Sequence, residues 1–181
     1  KIRLLNEAFC IAFWTLIPLR LGDGQLIWGE DIWYDGDCYR IDITTTKEDE
    51  PLRGRLHKRL EPFLNAVLLR GMKVDHLAHL RALSQTDQVP VLRDVSGKGL
   101  AGGYPSSAWR RHMGTGAHIA RTRIHTELGQ LGPEGVEMAL ALTAQRDARS
   151  QLAYQAAQFE KGQRAKGQSM IDGLLAEVFD A

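Results

Sequence analysis

Cysteine is scarce in this chain of 181 residues, and no stretch of the sequence is apolar over the width of a bilayer. The two cysteines, Cys10 and Cys38, allow at most one disulfide and form no C-x-x-C pair that would indicate a metal site. We therefore expect a reduced, cytoplasmic protein. The apolar run at residues 8–19 is shorter than the ~20 residues of a membrane-spanning helix and has no signal-peptide features, so it predicts a buried core helix and no membrane partner.

Two nucleotide and hydrolase signatures are also missing. The glycine-rich segment at residues 97–103 lacks the G-x-x-x-x-G-K-[ST] pattern of a phosphate-binding loop. No serine or cysteine lies in a recognisable nucleophile elbow. The sequence therefore does not support a P-loop nucleotide site or a hydrolase of that kind.

Acidic residues are absent between Asp94 and Glu127, although the net charge of the whole chain is only +1. Three histidines lie in this interval together with five cations, which are Lys98, Arg110, Arg111, Arg121 and Arg123. A second basic cluster contains Arg53, Arg55, His57, Lys58 and Arg59. Local excesses of this kind are typical of surfaces that contact a phosphate backbone, although two solvated basic faces are the alternative.

The apolar pattern predicts a mainly α domain with a small three-stranded antiparallel β-sheet. Residues 2–18 have helical periodicity up to a proline, residues 26–33 and 39–44 are typical of strands joined by the Asp35-Gly36 turn, and residues 52–57 predict a third strand. Further helices are predicted at 59–70, 74–83, 109–113 with Ser106 or Ser107 as cap, 117–128, from Pro133 onward, and 145–161. A polar linker and a short amphipathic helix at 170–179 follow, and the helix either packs on its own core or docks elsewhere.

Six side chains could together cleave a phosphodiester. In chain order they are Arg20, Lys47, His118, Arg121, Gln145 and Tyr154. A tyrosine can form a covalent phosphoester, arginines match the geometry of phosphate, and a lysine among cations can act as a general acid. Histidine can move a proton and glutamine can donate a neutral hydrogen bond. Each residue alone is more often structural, so the order and the local settings carry the prediction.

Two early segments resemble motifs of the tyrosine recombinases, the phage integrase family. Residues 19–23 read L-R-L-G-D and residues 26–32 read L-I-W-G-E-D-I, which is similar to the family's first arginine box. Thr46 and Lys47, between two predicted strands, look like the family's hairpin lysine. The resemblance implies that Arg20 is a catalytic arginine and that Asp23 supports it.

Two later segments extend this resemblance over nearly the whole chain. Residues 118–121 read H-I-A-R and are similar to the family's H-x-x-R box, with Ala120 in place of the usual leucine. Residues 142–145 read L-T-A-Q and resemble the L-G-H segment that precedes the nucleophile Tyr154. Gln145 stands where the family usually has histidine or tryptophan, which puts the strength of transition-state stabilisation in question.

The resemblance implies site-specific cleavage and rejoining of double-stranded DNA. Tyr154 would form a 3′-phosphotyrosyl link, Arg20 and Arg121 would hold the non-bridging oxygens, Lys47 would protonate the 5′ oxygen, and His118 would assist proton transfer. Neither a metal nor another cofactor is implied. Arg53, Arg55, Lys98, Arg110, Arg111 and Arg123 are the expected DNA-contacting residues.

The resemblance also implies an assembly and a domain layout. Residues 1–181 would be a single catalytic domain, with a linker and tail helix at 161–181, and the family's N-terminal DNA-clamping domain would be absent. We expect a monomer in solution and a homotetramer on DNA. A type IB topoisomerase, a degenerate DNA-binding module and a helical interaction domain are the alternatives.

Overall fold

The structure is a computed structural model that describes residues 1–47 and 49–143. Its first helix, α1 (Ile2–Leu16), lies at the centre of the core, where Phe9, Phe13 and Trp14 are fully buried. The Phe9 and Phe13 rings lie 5.2 Å apart, and Trp14 Nε1 donates a hydrogen bond of 3.1 Å to the carbonyl of Leu19. This bond folds the chain back at Pro18, so the residues that follow α1 have a fixed position.

The predicted three-stranded antiparallel sheet is confirmed. Strands β1 (Ile32–Tyr34), β2 (Tyr39–Thr44) and β3 (Pro51–Arg55) pair in that order, and Ile41 of β2 lies opposite Ile32. The alternation in β2 is also as expected, because Tyr39, Ile41 and Ile43 are buried. The sheet therefore covers one side of the core with these residues.

The first strand is shorter than the predicted one at 26–33. Gly29 has a φ of 81°, and the Asp31 and Ile32 amides both donate to the carbonyl of Ile27, so the chain turns back on itself here. The Asp31 carboxylate accepts from the Ile27 amide at 2.7 Å and closes the turn. A side-chain to backbone bond of this kind competes with strand pairing, and apolar spacing does not reveal it.

The third strand ends two residues earlier than predicted. Leu56 turns into the core, and His57 accepts a hydrogen bond from the Arg59 amide and caps a 3₁₀ turn at Lys58–Leu60. The cap ends the strand at Arg55 because the chain must leave the sheet to form this turn.

Five further helices complete the described part of the chain. They are α2 (Glu61–Leu69), α3 (Leu77–Thr86), α4 (Tyr104–Met113), α5 (His118–Gly129) and α6 (Pro133–Thr143). Helix α1 packs against α2, α4 and α5, and α5 packs against α6. Within these described residues, no helix is long and apolar enough to cross a membrane.

The start of α4 corrects the predicted serine cap. The helix begins at Tyr104 after Gly103, with Pro105 in its first turn, so Ser106 and Ser107 lie inside it. Proline is well suited to the first turn because it lacks the amide hydrogen that would be unpaired there. Ser107 Oγ instead donates to the carbonyl of Gly103 at 3.2 Å. The predicted helices at 145–161 and 170–179 lie outside the described residues.

A buried carboxylate joins α1 to α4. Glu7 is 1% exposed, and its two oxygens contact Arg111 and His112 of α4, the latter at 2.8 Å, while Arg3 lies 3.4 Å away. Burial alone would raise the pKa of Glu7, but His112, Arg111 and Arg3 outweigh burial and lower it. The carboxylate is therefore ionised at neutral pH and holds the two helices together.

Replacing Glu7 by glutamine should lower the free energy of unfolding by about 2 kcal/mol at pH 7, since a buried charged hydrogen-bond partner is lost while Arg111 and His112 remain half-exposed. A lowered folded-state pKa stabilises the fold above the unfolded-state pKa, and this contribution disappears as the pH falls through the folded-state value. The difference between Glu7→Gln and wild type should therefore shrink below about pH 4.3. Urea unfolding across a pH series measures it, and a difference that stays constant with pH would contradict this assignment.

Candidate active site

Arg20 lies directly after the bend that ends α1. Its neighbour Leu19 is buried, and Arg20 begins a 3₁₀ turn at Leu21–Asp23, in which the Asp23 amide donates to the Arg20 carbonyl at 3.0 Å. Arg20 itself is half-buried, with its Nη1 atom inside the protein. The burial of Nη1 restricts the guanidinium before any ligand binds. The side chain would therefore lose less conformational entropy on binding an anion.

Asp23 ties this turn to the loop between β2 and β3. One of its carboxylate oxygens, Oδ1, accepts hydrogen bonds from both the amide and the hydroxyl of Thr46, each at 2.8 Å. A hydrogen bond of 2.9 Å from the Thr45 amide to the Glu50 carbonyl also joins the two ends of this loop. Lys47 follows Thr46 in the chain and is exposed. The Asp23–Thr46 contact therefore holds the lysine loop against the turn that carries Arg20.

Arg121 joins the same region to the end of α6. Its Nη1 donates to the Pro18 carbonyl at 3.1 Å, and its Nη2 donates to the Thr143 carbonyl at 2.7 Å. Pro18 lies two residues before Arg20, and Thr143 lies two residues before Gln145. Arg121 therefore links the bend that precedes Arg20 to the end of α6.

His118 is the first residue of α5 and lies one turn before Arg121, so the two side chains project from the same side of the helix. Its ring is exposed and lies close to Gly116, where a Cβ atom would come within 3.0 Å of His118 Nδ1 and 2.9 Å of Ser106 Oγ. Glycine at 116 therefore allows the turn before α5 to approach both side chains. A larger residue would require the Ser106 and His118 side chains to shift.

The structure brings four predicted residues into one region through backbone and side-chain contacts, and these are Arg20, Asp23, Lys47 and Arg121. His118 is joined to them through α5. Gln145 and Tyr154 lie outside the described residues, so their roles stay predictions.

The predicted DNA-contacting residues divide into two groups. Four of them contact a carboxylate within the chain: Arg53 with Asp42, Arg55 with Asp37, Arg111 with Glu7, and Arg123 with Glu127. Lys98 and Arg110 are exposed, and neither forms an ion pair within the described residues. A phosphate would compete with a carboxylate at the first four but not at these two. DNA contact stays a prediction for all six.

Sequence analysis missed the contribution of Thr46 and of Thr143. Thr46 adjoins the candidate lysine, yet its partner Asp23 is 23 residues away, so no local pattern indicated the contact. Thr143 is fully buried, and its hydroxyl donates to the Ala139 carbonyl at 2.7 Å and lies 3.3 Å from Nε2 of the buried His125. These contacts fix the end of α6, where the Thr143 carbonyl meets Arg121.

Comparison with solved structures identifies this architecture. The structure of the XerH site-specific recombinase, bound to its difH substrate in a pre-cleavage complex, superposes with a TM-score of 0.59. The described part of the chain has a tyrosine recombinase fold. The two sequences are 16% identical, and the match covers 83% of this chain and 42% of the XerH chain, so the likeness concerns the fold alone. No protein-family model and no curated protein sequence matches the chain.

Replacing Asp23 by alanine should release the lysine loop, because both hydrogen bonds from Thr46 are lost. Hydrogen exchange at the Thr46 amide should become at least about tenfold faster, which corresponds to one hydrogen bond. Asp37→Ala is the matched control, since that exposed aspartate pairs with Arg55 at the far end of β2. Equal exchange at Thr46 in wild type and Asp23→Ala would show that this contact does not hold the loop.

Proposed function

We propose that the chain cleaves and rejoins DNA strands as a site-specific tyrosine recombinase. The observation that carries the proposal is the position of Arg121, which hydrogen-bonds both the Pro18 and the Thr143 carbonyls. A phosphate bound by Arg121 would lie near the bend that precedes Arg20. It would also lie near the end of α6, after which the chain continues toward Tyr154. The shared fold with a DNA-bound site-specific recombinase supports the same reading.

In the proposed reaction the Tyr154 oxygen attacks the scissile phosphorus. One O–P bond forms, the bond from phosphorus to the 5′ oxygen breaks, and the total number of phosphoester bonds is unchanged. Arg20 and Arg121 stabilise the charge on the non-bridging oxygens, and such preorganised donors supply much of the catalysis in phosphoryl transfer. Rejoining is the reverse step, with a 5′ hydroxyl as the nucleophile.

Protons move at two positions in this scheme. Lys47 donates one to the leaving 5′ oxygen, and the Asp23–Thr46 contact keeps its loop beside Arg20. His118 receives or relays the proton of Tyr154. General acid–base assistance of this kind contributes about 10² to 10⁴ in rate. Gln145 adds a neutral hydrogen bond to the phosphate and carries no charge.

The other tyrosines are less suitable nucleophiles. The chain has four, and burial raises the pKa of both Tyr39 and Tyr104 to about 12. Tyr34 lies at the end of β1, and its hydroxyl donates to the Asp37 carbonyl at 3.4 Å. A phenol that is hard to deprotonate, or one whose hydroxyl is bonded elsewhere, attacks a phosphate poorly. This leaves Tyr154 as the candidate, in agreement with the sequence motif.

The proposed partner is double-stranded DNA, bound by a monomer that assembles into a homotetramer on its substrate. The tail at residues 161–181 would connect the protomers, and 1–181 would be the catalytic domain of the recombinase. A catalytically degenerate DNA-binding module is the second candidate, and the observation that favours it is Gln145 at a position usually taken by histidine or tryptophan.

Covalent trapping separates the two candidates. Wild-type protein is incubated with nicked duplex DNA in the presence of a chelator and quenched in detergent, next to Tyr154→Phe and the matched control Tyr104→Phe. We expect a covalent protein–DNA band for wild type and for Tyr104→Phe, and none for Tyr154→Phe. A wild-type protein that retains DNA on a native gel but gives no covalent band would contradict the enzyme and support the binding module.

A further inference from the structure

Two arginines lie side by side at the end of α2, away from the residues assigned to catalysis. Arg70 ends the helix in a left-handed conformation with a φ of 52°, and its Nη2 donates to the Asp94 carbonyl at 2.5 Å. Asn6 of α1 donates to the neighbouring carbonyl of Arg93 at 2.9 Å. The backbone at 93–94 is therefore fixed against α1 and α2 together, which gives Arg93 a defined position next to Arg70.

The Arg93 guanidinium has unused hydrogen-bonding capacity. Its side chain is half-buried, and its Nε atom is buried without a hydrogen-bond partner in the described part of the chain. Burial and the nearby charge of Arg70 both lower the pKa of Arg93. The two Nη atoms also form no hydrogen bond within the described residues but are not enclosed, so an anion would reach Arg93 through them.

No acidic side chain of the described residues compensates this pair. Asp94 is adjacent, but its Oδ1 accepts from the Ser96 amide at 2.8 Å, the Ser96 hydroxyl at 2.6 Å and the Lys98 amide at 3.1 Å, within its own turn. Several other arginines of the described chain contact a carboxylate, and these include Arg40, Arg53, Arg55, Arg81 and Arg111. Two adjacent, half-buried guanidinium groups without an acid favour an anion from outside the chain.

We propose that Arg70 and Arg93 bind a backbone phosphate of the duplex, at a position separate from the scissile phosphate. This inference rests on the proposed function, because DNA supplies the phosphate. A guanidinium presents a planar fork that fits two phosphate oxygens, and the two Nη atoms of Arg93 form that fork because its Nε is buried. Arg93 also pairs across its turn with Gly99, directly after the exposed Lys98, so one turn carries both cations.

The Lys1 side chain adds positive charge to this surface. A Cβ atom at Gly71 would come within 2.9 Å of Lys1 Nζ, so the ammonium group lies against the residue that follows Arg70. A site for one small anion would need no further cation, whereas a strand of DNA carries a charge at every nucleotide. We therefore assign the cluster to a DNA backbone and not to free phosphate.

Fluorescence anisotropy with a labelled duplex tests the proposal over a series of salt concentrations. The variant is Arg93→Gln, and the matched control is Arg40→Gln, which removes an arginine paired with Asp35 at 2.5 Å. At ~0.1 M salt, Arg93→Gln should bind roughly tenfold more weakly, and its slope of log K against log salt should be smaller by about 0.9. Arg40→Gln should match wild type in both, and thermal unfolding checks that each variant is folded.

Arg93→Lys refines the result, since it keeps the charge but loses the fork. Its salt slope should equal that of wild type. Its affinity for the duplex should lie between those of Arg93→Gln and wild type. Equal affinity and slope in wild type and Arg93→Gln would overturn this inference and leave the proposed function intact. A wild-type protein without affinity for duplex DNA would overturn both.

A second arm distinguishes DNA from free phosphate. Thermal unfolding of wild type and Arg93→Gln is repeated with inorganic phosphate at about 10 mM, which is enough to detect weak binding. One outcome would overturn the assignment to DNA and show a small-anion site. In it, phosphate raises the melting temperature of wild type but not of Arg93→Gln, while the two proteins bind the duplex with equal affinity.

Discussion

The hydrogen bonds of Arg121 to two carbonyl groups are the contact on which the candidate site depends. Their acceptors are 103 and 22 residues away in the chain, at Pro18 and Thr143. A single guanidinium can span them because its donors lie in one rigid plane. The contact places the Pro18 carbonyl, at the bend after α1, and the Thr143 carbonyl, at the end of α6, around the same charge.

Helix α1 provides the framework for this contact. Its aromatic face fills the core, Trp14 fixes the bend at Leu19, and the buried Glu7 holds α4, which precedes the turn into α5. Arg20 is thus positioned by the bend at the end of α1, and Arg121 by the packing of α5 against the same helix. On the opposite side of Arg20, Asp23 holds the lysine loop. A change in α1 should therefore affect the geometry of the candidate site even where it touches none of the candidate residues.

The sequence was sufficient for the sheet and for the helices of the described residues, because their apolar spacing is strong. Tyr39, Ile41 and Ile43 alternate as a half-buried strand must, and Pro133 begins a helix as its missing amide hydrogen allows. It was insufficient at the ends of elements. The turn closed by Asp31 and the cap by His57 are side-chain to backbone bonds, which spacing does not encode.

The sequence nominates members of the candidate site but not the contacts that connect them. Arg20, Lys47 and Arg121 were found because they stand in motifs with a chemical rationale. The contacts that join them, from Asp23 to Thr46 and from Arg121 to two backbone carbonyls, depend on how distant segments pack. Arg70 and Arg93 stand in no motif, and only their burial and the lack of an acidic partner among the described residues reveal them.

The most direct test is to identify the atom that carries the DNA. Wild-type protein is trapped on a duplex, digested with nuclease and protease, and analysed by mass spectrometry. We predict a nucleotide attached through its 3′ phosphate to the peptide that contains Tyr154. Attachment to any other residue, or the absence of an adduct from protein that binds the duplex, would contradict the proposed chemistry.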